Sequence, residues 1–270
     1  MFKYIKYEIK GTYRYILGTM AFVLMLITGF YTYLVNASRA PINSIGFVSL
    51  LLGLTLFGTA VATFLYIVGS FRKELYEDRG YLTFTLPLTG KQIVGAKLTV
   101  AFIWFFLLGT VFPLYNLMMI SIFNAAVHNL TEIFTAIAQV ISFKQALFFI
   151  FNTVLKTSNF LLLVYFSITL SRVTFRNKKI GGLWFVLFLI LSWLMSYGET
   201  KIASLLPYYL NLNLQSNNFM LNQLILNGMT LDFFHTGSLT ANIASNIYVL
   251  VVTVTLFLAT SYLIEKKIDL

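Results

Sequence analysis

Six long apolar runs, separated by polar segments, make up most of this chain. Each run is long enough, at about 1.5 Å of rise per residue, to cross a hydrocarbon core of about 30 Å as a helix. The pattern therefore predicts an all-α integral membrane protein in which residues 1–270 form a single transmembrane domain. The six predicted spans are residues 15–35, 45–70, 98–123, 146–171, 180–197 and 243–264.

Composition supports a membrane protein, and the basic residues indicate its orientation. Hydrophobic residues make up 59% of the chain and charged residues 10%, whereas soluble proteins have about 25% charged residues. Fifteen of the 19 Lys and Arg residues fall on one side of the predicted spans and three on the other, with Lys156 inside a span. Because Lys and Arg collect on the cytoplasmic side, we expect a multi-pass protein with both termini in the cytoplasm. The net charge of +10 is spread over four segments, so it does not indicate nucleic-acid binding.

The segment between the second and third predicted spans carries an ordered mixture of both charge signs. Helical spacing predicts that four of its residues share one face: Glu74, Glu77, Asp78 and Tyr81. Three acidic residues balance three basic ones here, whereas a loop that binds only anionic lipid is expected to be mainly basic. The balance favours a protein partner.

A helix boundary is predicted directly after this segment. Pro87 fixes its own φ and disfavours the helical region for Leu86, so any preceding helix ends by this point. Thr89 followed by Gln92 has the form of a capping box. The next helix is therefore expected to begin near Gly90.

A specific motif lies within the same segment, and its residues are Asp78, Arg79, Gly80, Tyr81, Leu82, Thr83, Thr85, Leu86, Pro87 and Thr89. Here the chain resembles the permease subunits of type-2 ATP-binding-cassette exporters, especially small ones from Gram-positive bacteria. The resemblance implies a coupling segment at residues 71–89, in which residues 72–81 form a coupling helix that sits in a groove of a separate ATPase. An ordinary solvated loop is the alternative. The resemblance assigns the coupling role to Arg72, Glu74, Glu77, Asp78, Arg79 and Tyr81.

The same resemblance implies a function for the whole chain. It implies the permease subunit of an ATP-driven exporter in a bacterial cell membrane, paired with a second permease subunit as a homodimer or heterodimer. Two cytoplasmic ATPase subunits would hold ATP and Mg, because this chain has no P-loop motif and is not expected to be an enzyme or to hold a cofactor by itself. The expected cargo is hydrophobic or amphipathic, such as an antimicrobial or toxin-like peptide. The alternatives are export of a lipid, drug or polysaccharide, and a non-transporting membrane scaffold.

Two further patterns concern individual helices. Phe2, Ile5 and Ile9 share a helical face opposite three lysines, which predicts an amphipathic interfacial helix at the N-terminus. An unstructured basic tail is the alternative. In the second span Gly53 and Gly58 belong to pairs of small residues four positions apart, which predicts close packing between helices.

Lys156 is the one cation placed inside a predicted span. A charge at membrane depth is costly and is treated as a functional candidate, so Lys156 is a candidate for the substrate path together with Asn152 and Asn159. Snorkelling of the lysine, or pairing with a carboxylate such as Glu132, is the alternative. No acidic residue falls within a predicted span, which disfavours proton-coupled transport.

The sequence contains no clear catalytic or metal-binding constellation. It has no cysteine, and His128 and His235 lie in different outer segments without a carboxylate at ligand spacing, so neither a metal site nor a catalytic group is expected.

Two outer segments are expected to contain structure of their own. Residues 124–145 are expected to hold a short surface helix. The resemblance implies re-entrant or surface helices within residues 198–242.

Overall fold

Six long helices account for most of the structure. They are α1 (Phe2–Asn36), α2 (Ile42–Tyr76), α3 (Gly90–Phe123), α4 (Phe143–Thr174), α5 (Leu183–Leu205) and α6 (Ile243–Lys266). Each is long and apolar enough to cross a membrane, so the prediction of a multi-pass, largely α-helical membrane protein is confirmed. The computed structural model describes residues 1–36, 42–76, 88–123, 143–174, 182–213, 219–222, 231–232 and 238–267.

Two helices extend well beyond the apolar runs that predicted them. α1 is continuous from Phe2, so the residues expected to form a separate interfacial helix are its first turns. α5 continues to Leu205, so residues 198–205, which were assigned to an outer segment, are helical. Hydropathy locates the apolar middle of a helix and not its polar ends.

The start of α3 agrees with the capping signal. The helix begins at Gly90, and the backbone N–H of Thr89 donates to Oε1 of Gln92 at 3.2 Å. This is the half of a capping box in which the third helical residue reaches back to the cap. The predicted boundary is therefore confirmed.

Contacts divide the chain into two compact units, each described by itself. The first unit comprises Met1–Glu74 and Gly95–Phe134, and the second comprises Leu75–Val94 and Thr135–Leu270. In the first unit, the core between α1 and α3 is an apolar cluster of Val23, Ile27, Leu108 and Phe112, with Leu52 and Leu56 of α2 packed against it.

Hydrogen bonds between side chains join α1 to α3 within the first unit. Nε1 of Trp104 donates to Oγ1 of Thr12 at 2.9 Å in a buried position. Further along the same pair of helices, the hydroxyls of Thr28 and Tyr115 share a hydrogen bond of 2.6 Å. In an apolar environment these bonds satisfy groups that would otherwise be costly to bury.

In the second unit, α4 packs against both α5 and α6. α4 is buried on several faces, since Leu161, Leu162, Leu163, Val164 and Tyr165 are consecutive and nearly inaccessible. α6 instead buries a single stripe at helical spacing, made up of Ser245, Val249, Val252, Leu256 and Thr260. α4 is therefore the central helix of this unit.

A small antiparallel sheet lies between α5 and α6 in the chain. Its strands are β1 (Tyr209–Asn213), β2 (Phe219–Asn222), β3 (Leu231–Asp232) and β4 (Ser238–Asn242), in the order β2-β1-β4-β3. The expected re-entrant or surface helices are absent from the described residues of this segment after Leu205. The alternation of Leu210 and Leu212 with Asn211 and Asn213 has the period of a strand and not of a helix.

Asn242 connects this sheet to α6. Its Oδ1 accepts from the N–H of Ser245 at 2.9 Å as the N-cap of α6, and its Nδ2 donates to the carbonyl of Leu206 at 2.9 Å. One buried side chain thus fixes both the start of α6 and the end of α5.

Candidate functional site

Four side chains form a buried charge cluster in the first unit, and we call Tyr4, Glu8, Glu74 and Lys97 the charge cluster. Nζ of Lys97 lies 2.7 Å from Oε2 of Glu8 and 2.9 Å from Oε2 of Glu74. The hydroxyl of Tyr4 donates to both oxygens of Glu74 at 3.2 Å. The cluster therefore joins the first turns of α1, the last turn of α2 and the early part of α3.

The three charges of the charge cluster depend on one another because they are buried together. The side chain of Lys97 is 3% exposed and those of Glu8 and Glu74 are 11% and 15% exposed, so all three charges are largely removed from water. Removing one partner from a buried ion pair leaves an uncompensated charge, which is strongly destabilising. Two carboxylates share one ammonium, and the Tyr4 hydroxyl supplies an additional donor to Glu74. These contacts tie the end of α2 to two other helices.

The structure changes the role of Glu74. The sequence places it on a partner-facing surface with Glu77, Asp78 and Tyr81, whereas its carboxylate faces inward to Lys97. Phe71 and Leu75, which helical spacing places on the opposite face, are also buried. The acidic face therefore does not begin at Glu74.

The other predicted coupling residues are only partly described. Arg72 has intermediate exposure in the last turns of α2. Glu77, Asp78, Arg79 and Tyr81 lie outside the described residues, so their assignment to coupling stays a prediction. We call residues 77–87, which join the end of α2 to the start of α3, the loop segment.

The residue before the loop segment is anchored within the second unit. The hydroxyl of Tyr76 donates to Oγ of Ser171 at 3.3 Å, and the guanidinium of Arg172 lies 5.3 Å from the centre of the Tyr76 ring. A cation over an aromatic face is attracted by the ring quadrupole. Tyr76 is thus held by a hydrogen bond and a cation–π contact to the last turn of α4.

The residues after the loop segment are anchored in the same unit, against α6. The backbone N–H of Gly90 donates to Oε2 of Glu265 at 3.2 Å, which places a carboxylate at the positive end of the α3 dipole. A Cβ atom at Gly90 would collide with the backbone carbonyl of Ser261. The close approach therefore requires glycine, and it fixes the start of α3 on the end of α6.

A second polar group surrounds Lys156 in the second unit. Nζ of Lys156 donates to Oε1 of Glu199 at 2.9 Å, and Oγ of Ser245 donates to the same oxygen at 2.8 Å. Nδ2 of Asn159 donates to Oγ1 of Thr253 at 3.1 Å. Lys156 is therefore paired with a carboxylate, and its partner among the described residues is Glu199.

The pairing of Lys156 bears on two sequence-based expectations. Glu132, named as an example of a partner, lies outside the described residues. Glu199 was placed beyond the fifth span, but it lies inside α5, one of the six helices long and apolar enough to cross a membrane. The helix thus contains an acidic residue that the shorter predicted span of residues 180–197 leaves out. The usable signal was a cation within the fourth predicted span and an acidic residue two positions after the end of the fifth.

A cavity of about 180 Å³ opens beside this ion pair. Its walls come from α4, α5 and α6, and both Lys156 and Asn159 line it. Asn152, the third residue predicted for a substrate path, does not line it: Nδ2 donates to the carbonyl of Phe148 at 3.1 Å, and the residue is buried. The full lining is Lys156, Asn159, Phe160, Leu163, Ser192, Met195, Ser196, Glu199, Tyr248, Val249 and Val252.

The glycines predicted to pack closely have open space around them. A Cβ atom at Gly53 or at Gly58 would meet nothing within 4 Å. Close packing at these positions is therefore not seen in the described part of the chain, and as a contact with another chain it stays a prediction.

The part of the chain that the structure describes contains no group of three or more His, Cys, Asp or Glu that could hold a metal ion. His128 and His235 lie outside it. In the charge cluster, the two carboxylates are bridged by the Lys97 ammonium, and that ammonium occupies the position between them that a cation would need.

Comparisons with known proteins identify no relative. No protein-family model, no curated protein and no solved structure matches the chain. The argument for a function therefore depends on the sequence and on the geometry described above.

Proposed function

We propose that the chain is the permease subunit of an ATP-driven exporter of the type-2 ATP-binding-cassette class. It lies in a bacterial cell membrane with both termini in the cytoplasm. Two ATPase subunits, which hold ATP and Mg, bind it from that side, and a second permease subunit completes the transport path. The cargo is an amphipathic or hydrophobic molecule, most simply a peptide. Support comes from the match of residues 78–89 to the family motif.

The observation that carries the proposal is the anchoring of the loop segment at both ends. Before it, Tyr76 contacts Ser171 and Arg172 at the end of α4. After it, Gly90 contacts Glu265 near the end of α6. A force on a loop moves helices only if the loop is connected rigidly to them, and these contacts provide such connections. An ordinary solvated loop has no need of specific contacts at both of its boundaries.

The charge cluster extends the same argument in the first unit. Glu74 lies two residues before the end of α2 and is held by Lys97 and Tyr4. A displacement of the end of α2 is therefore resisted by ion pairs to α1 and α3. In the proposed mechanism, ATP-driven closure of the two ATPases moves the loop segments and favours one orientation of the transport path. ATP achieves this only through contacts that differ between the two orientations, since a ligand that binds both equally shifts nothing.

Charge reversal in the loop segment tests this proposal. The chain is purified from the membranes of its own host, and the recovered ATPase and its hydrolysis rate are measured. Glu77→Lys combined with Asp78→Lys is expected to lower the coupled hydrolysis rate by about tenfold or more, because lost charge pairs at an interface typically cost about 2 kcal/mol or more.

A matched control reverses two charges elsewhere. Lys144 and Lys201 are exposed, and Lys144→Glu with Lys201→Glu is expected to leave both recovery and hydrolysis unchanged. If the loop variant retains normal hydrolysis, the assignment of Glu77 and Asp78 to coupling is wrong. If the unmodified chain purifies with no ATPase, the scaffold alternative is favoured.

A further inference from the structure

The Lys156 cavity combines a charged wall with an apolar one. Lys156 and Glu199 are side chains of opposite charge, while Phe160, Leu163 and Val252 are apolar. The lysine and glutamate side chains are 41% and 26% exposed, so both are accessible from the cavity. The site is therefore amphipathic, and both signs of charge are available in it.

Neither charged group is saturated by the described residues. The ammonium of Lys156 has three donors, and the described structure gives it one partner, Oε1 of Glu199. That oxygen also accepts from Ser245, whereas Oε2 of Glu199 has no hydrogen-bond partner among the described residues. The cavity thus offers unused donors on one side chain and an unused acceptor on its neighbour.

The carboxylate of Glu199 is held in place independently of Lys156. Ser245 lies in the first turn of α6, whose N-cap is Asn242. The positive end of the α6 dipole and the Ser245 hydroxyl therefore both stabilise the charge on Glu199. If a ligand accepts hydrogen bonds from Lys156, the carboxylate of Glu199 therefore still has Ser245 as a partner.

The balance of charge indicates the class of ligand. An anion alone would meet Glu199, and a cation alone would meet Lys156, so each would bring a like charge close in a partly desolvated site. A group that carries both signs satisfies both side chains. The volume of about 180 Å³ is similar to that of an engineered protein cavity of about 150 Å³ that binds benzene, so it suits a small headgroup and is too small for a folded peptide segment.

The surroundings indicate that the ligand also carries apolar chains. α5 exposes apolar side chains along its length, including Ile190, Trp193 and Leu194, next to the cavity residues Ser192 and Ser196. Acyl chains that leave the cavity along this helix would therefore lie against apolar surface.

We infer that this cavity binds a zwitterionic phospholipid through its phosphoethanolamine headgroup. The phosphate oxygens accept from Lys156 and the ammonium donates to Glu199, while the acyl chains lie against the apolar wall. This inference does not depend on export or on an ATPase, because binding is measured on the chain alone.

Binding is tested with the full-length chain purified in detergent without nucleotide. A short-chain phosphatidylethanolamine is titrated by calorimetry, and two comparison ligands are titrated in parallel. Short-chain phosphatidylglycerol has the phosphate without the amine, and free phosphoethanolamine has the headgroup without the chains. The phosphatidylethanolamine is expected to bind about tenfold or more tightly than either. Equal binding of phosphatidylglycerol would overturn the zwitterionic assignment, and equal binding of free phosphoethanolamine would overturn the lipid assignment.

Three variants locate the site. Lys156→Met with Glu199→Met removes both charges together, because replacing a whole ion pair with apolar residues is tolerated better than removing one partner. This variant is expected to lose the preference for phosphatidylethanolamine. Ser196→Leu leaves the ion pair intact and fills the cavity, and it is expected to weaken binding by about tenfold. The control is Lys201→Met, because Lys201 is on the same helix as Glu199 but does not line the cavity.

The result that overturns the inference is unchanged phosphatidylethanolamine binding in both the double variant and Ser196→Leu. Loss of binding in Lys201→Met to the same extent would also overturn it, since the effect would then not belong to the cavity. The thermal unfolding midpoint of each variant is recorded, and Ser196→Leu decides the outcome if the double variant does not fold.

Discussion

Lys97 is the one charged residue that is buried in the described part of the chain. It is 3% exposed and lies within ion-pair distance of two carboxylates from two other helices. Hydrophobic burial contributes about 1.5 to 3 kcal/mol for a large apolar side chain, which is no more than the penalty for leaving a buried charge unpaired. The stability of this part of the chain is therefore sensitive to a single ammonium group.

Replacing Lys97 tests this dependence. Lys97→Met keeps the length of the side chain but leaves Glu8 and Glu74 without their shared cation. The free energy of unfolding in detergent is expected to fall by about 3 to 5 kcal/mol. Lys91→Met is the control, because Lys91 lies on the same helix and is exposed; it is expected to change stability by less than about 0.5 kcal/mol. Equal effects of the two substitutions would show that the charge cluster adds no stability.

Individual charges were the hardest feature to predict from the sequence. The sequence identifies Lys156, because a cation in an apolar run is conspicuous, but hydropathy places its partner Glu199 outside the fifth span. Helical spacing groups Glu74 with Glu77 and Asp78 and so predicts a partner-facing position for it, whereas its carboxylate contacts Lys97. Spacing along one helix indicates which residues share a face, and it contains no information on which face a neighbouring helix covers.

At the scale of elements, the start of α3 lies in close contact with the end of α6. Gly90 has no room for a Cβ atom against the carbonyl of Ser261, and its N–H donates to Glu265. The obstacle is backbone and not the end of a flexible side chain. A larger residue at this position therefore has to separate the two helices.

A glycine comparison tests this contact. Gly90→Ala is expected to lower the free energy of unfolding by about 1 to 3 kcal/mol, the usual range for overpacking. Gly53→Ala is the control, since a Cβ atom there meets nothing within 4 Å and alanine favours a helix by about 0.5 to 1 kcal/mol. Denaturation of both variants in detergent measures the difference. An increase in stability for Gly90→Ala would contradict the close approach.

The elements themselves were largely predictable. Length and apolar content identify all six helices, and the Thr89 and Gln92 signal gives the start of α3 to within one residue. The polar end of α5 was missed because hydropathy alone does not show a helix leaving its apolar run. The sheet is not predicted because a short strand needs pairing partners that are distant in sequence, such as Leu210 with Ala241. A local sequence pattern does not indicate which residues those partners are.

At the scale of the whole molecule, the central claim is that the loop segment connects the membrane helices to an ATPase. α2 and α3 each contribute residues to both compact units, so the loop segment is covalently continuous with each of them. Its motif, the mixed charges of residues 72–79 and the anchors at Tyr76 and Gly90 support the same role. The family resemblance supplies the identity of the partner, which geometry alone does not name.

The chain provides a direct way to test that claim, because it contains no cysteine. A cysteine introduced as Asp78→Cys is then its only thiol and can carry a photoactivated cross-linker in membranes of its own host. The account predicts a cross-link to a protein with a P-loop motif from Asp78→Cys and none from Lys144→Cys, which lies in α4 and outside the loop segment. A labelled Asp78→Cys chain that cross-links to no ATPase, or that does so no more than Lys144→Cys, would contradict it.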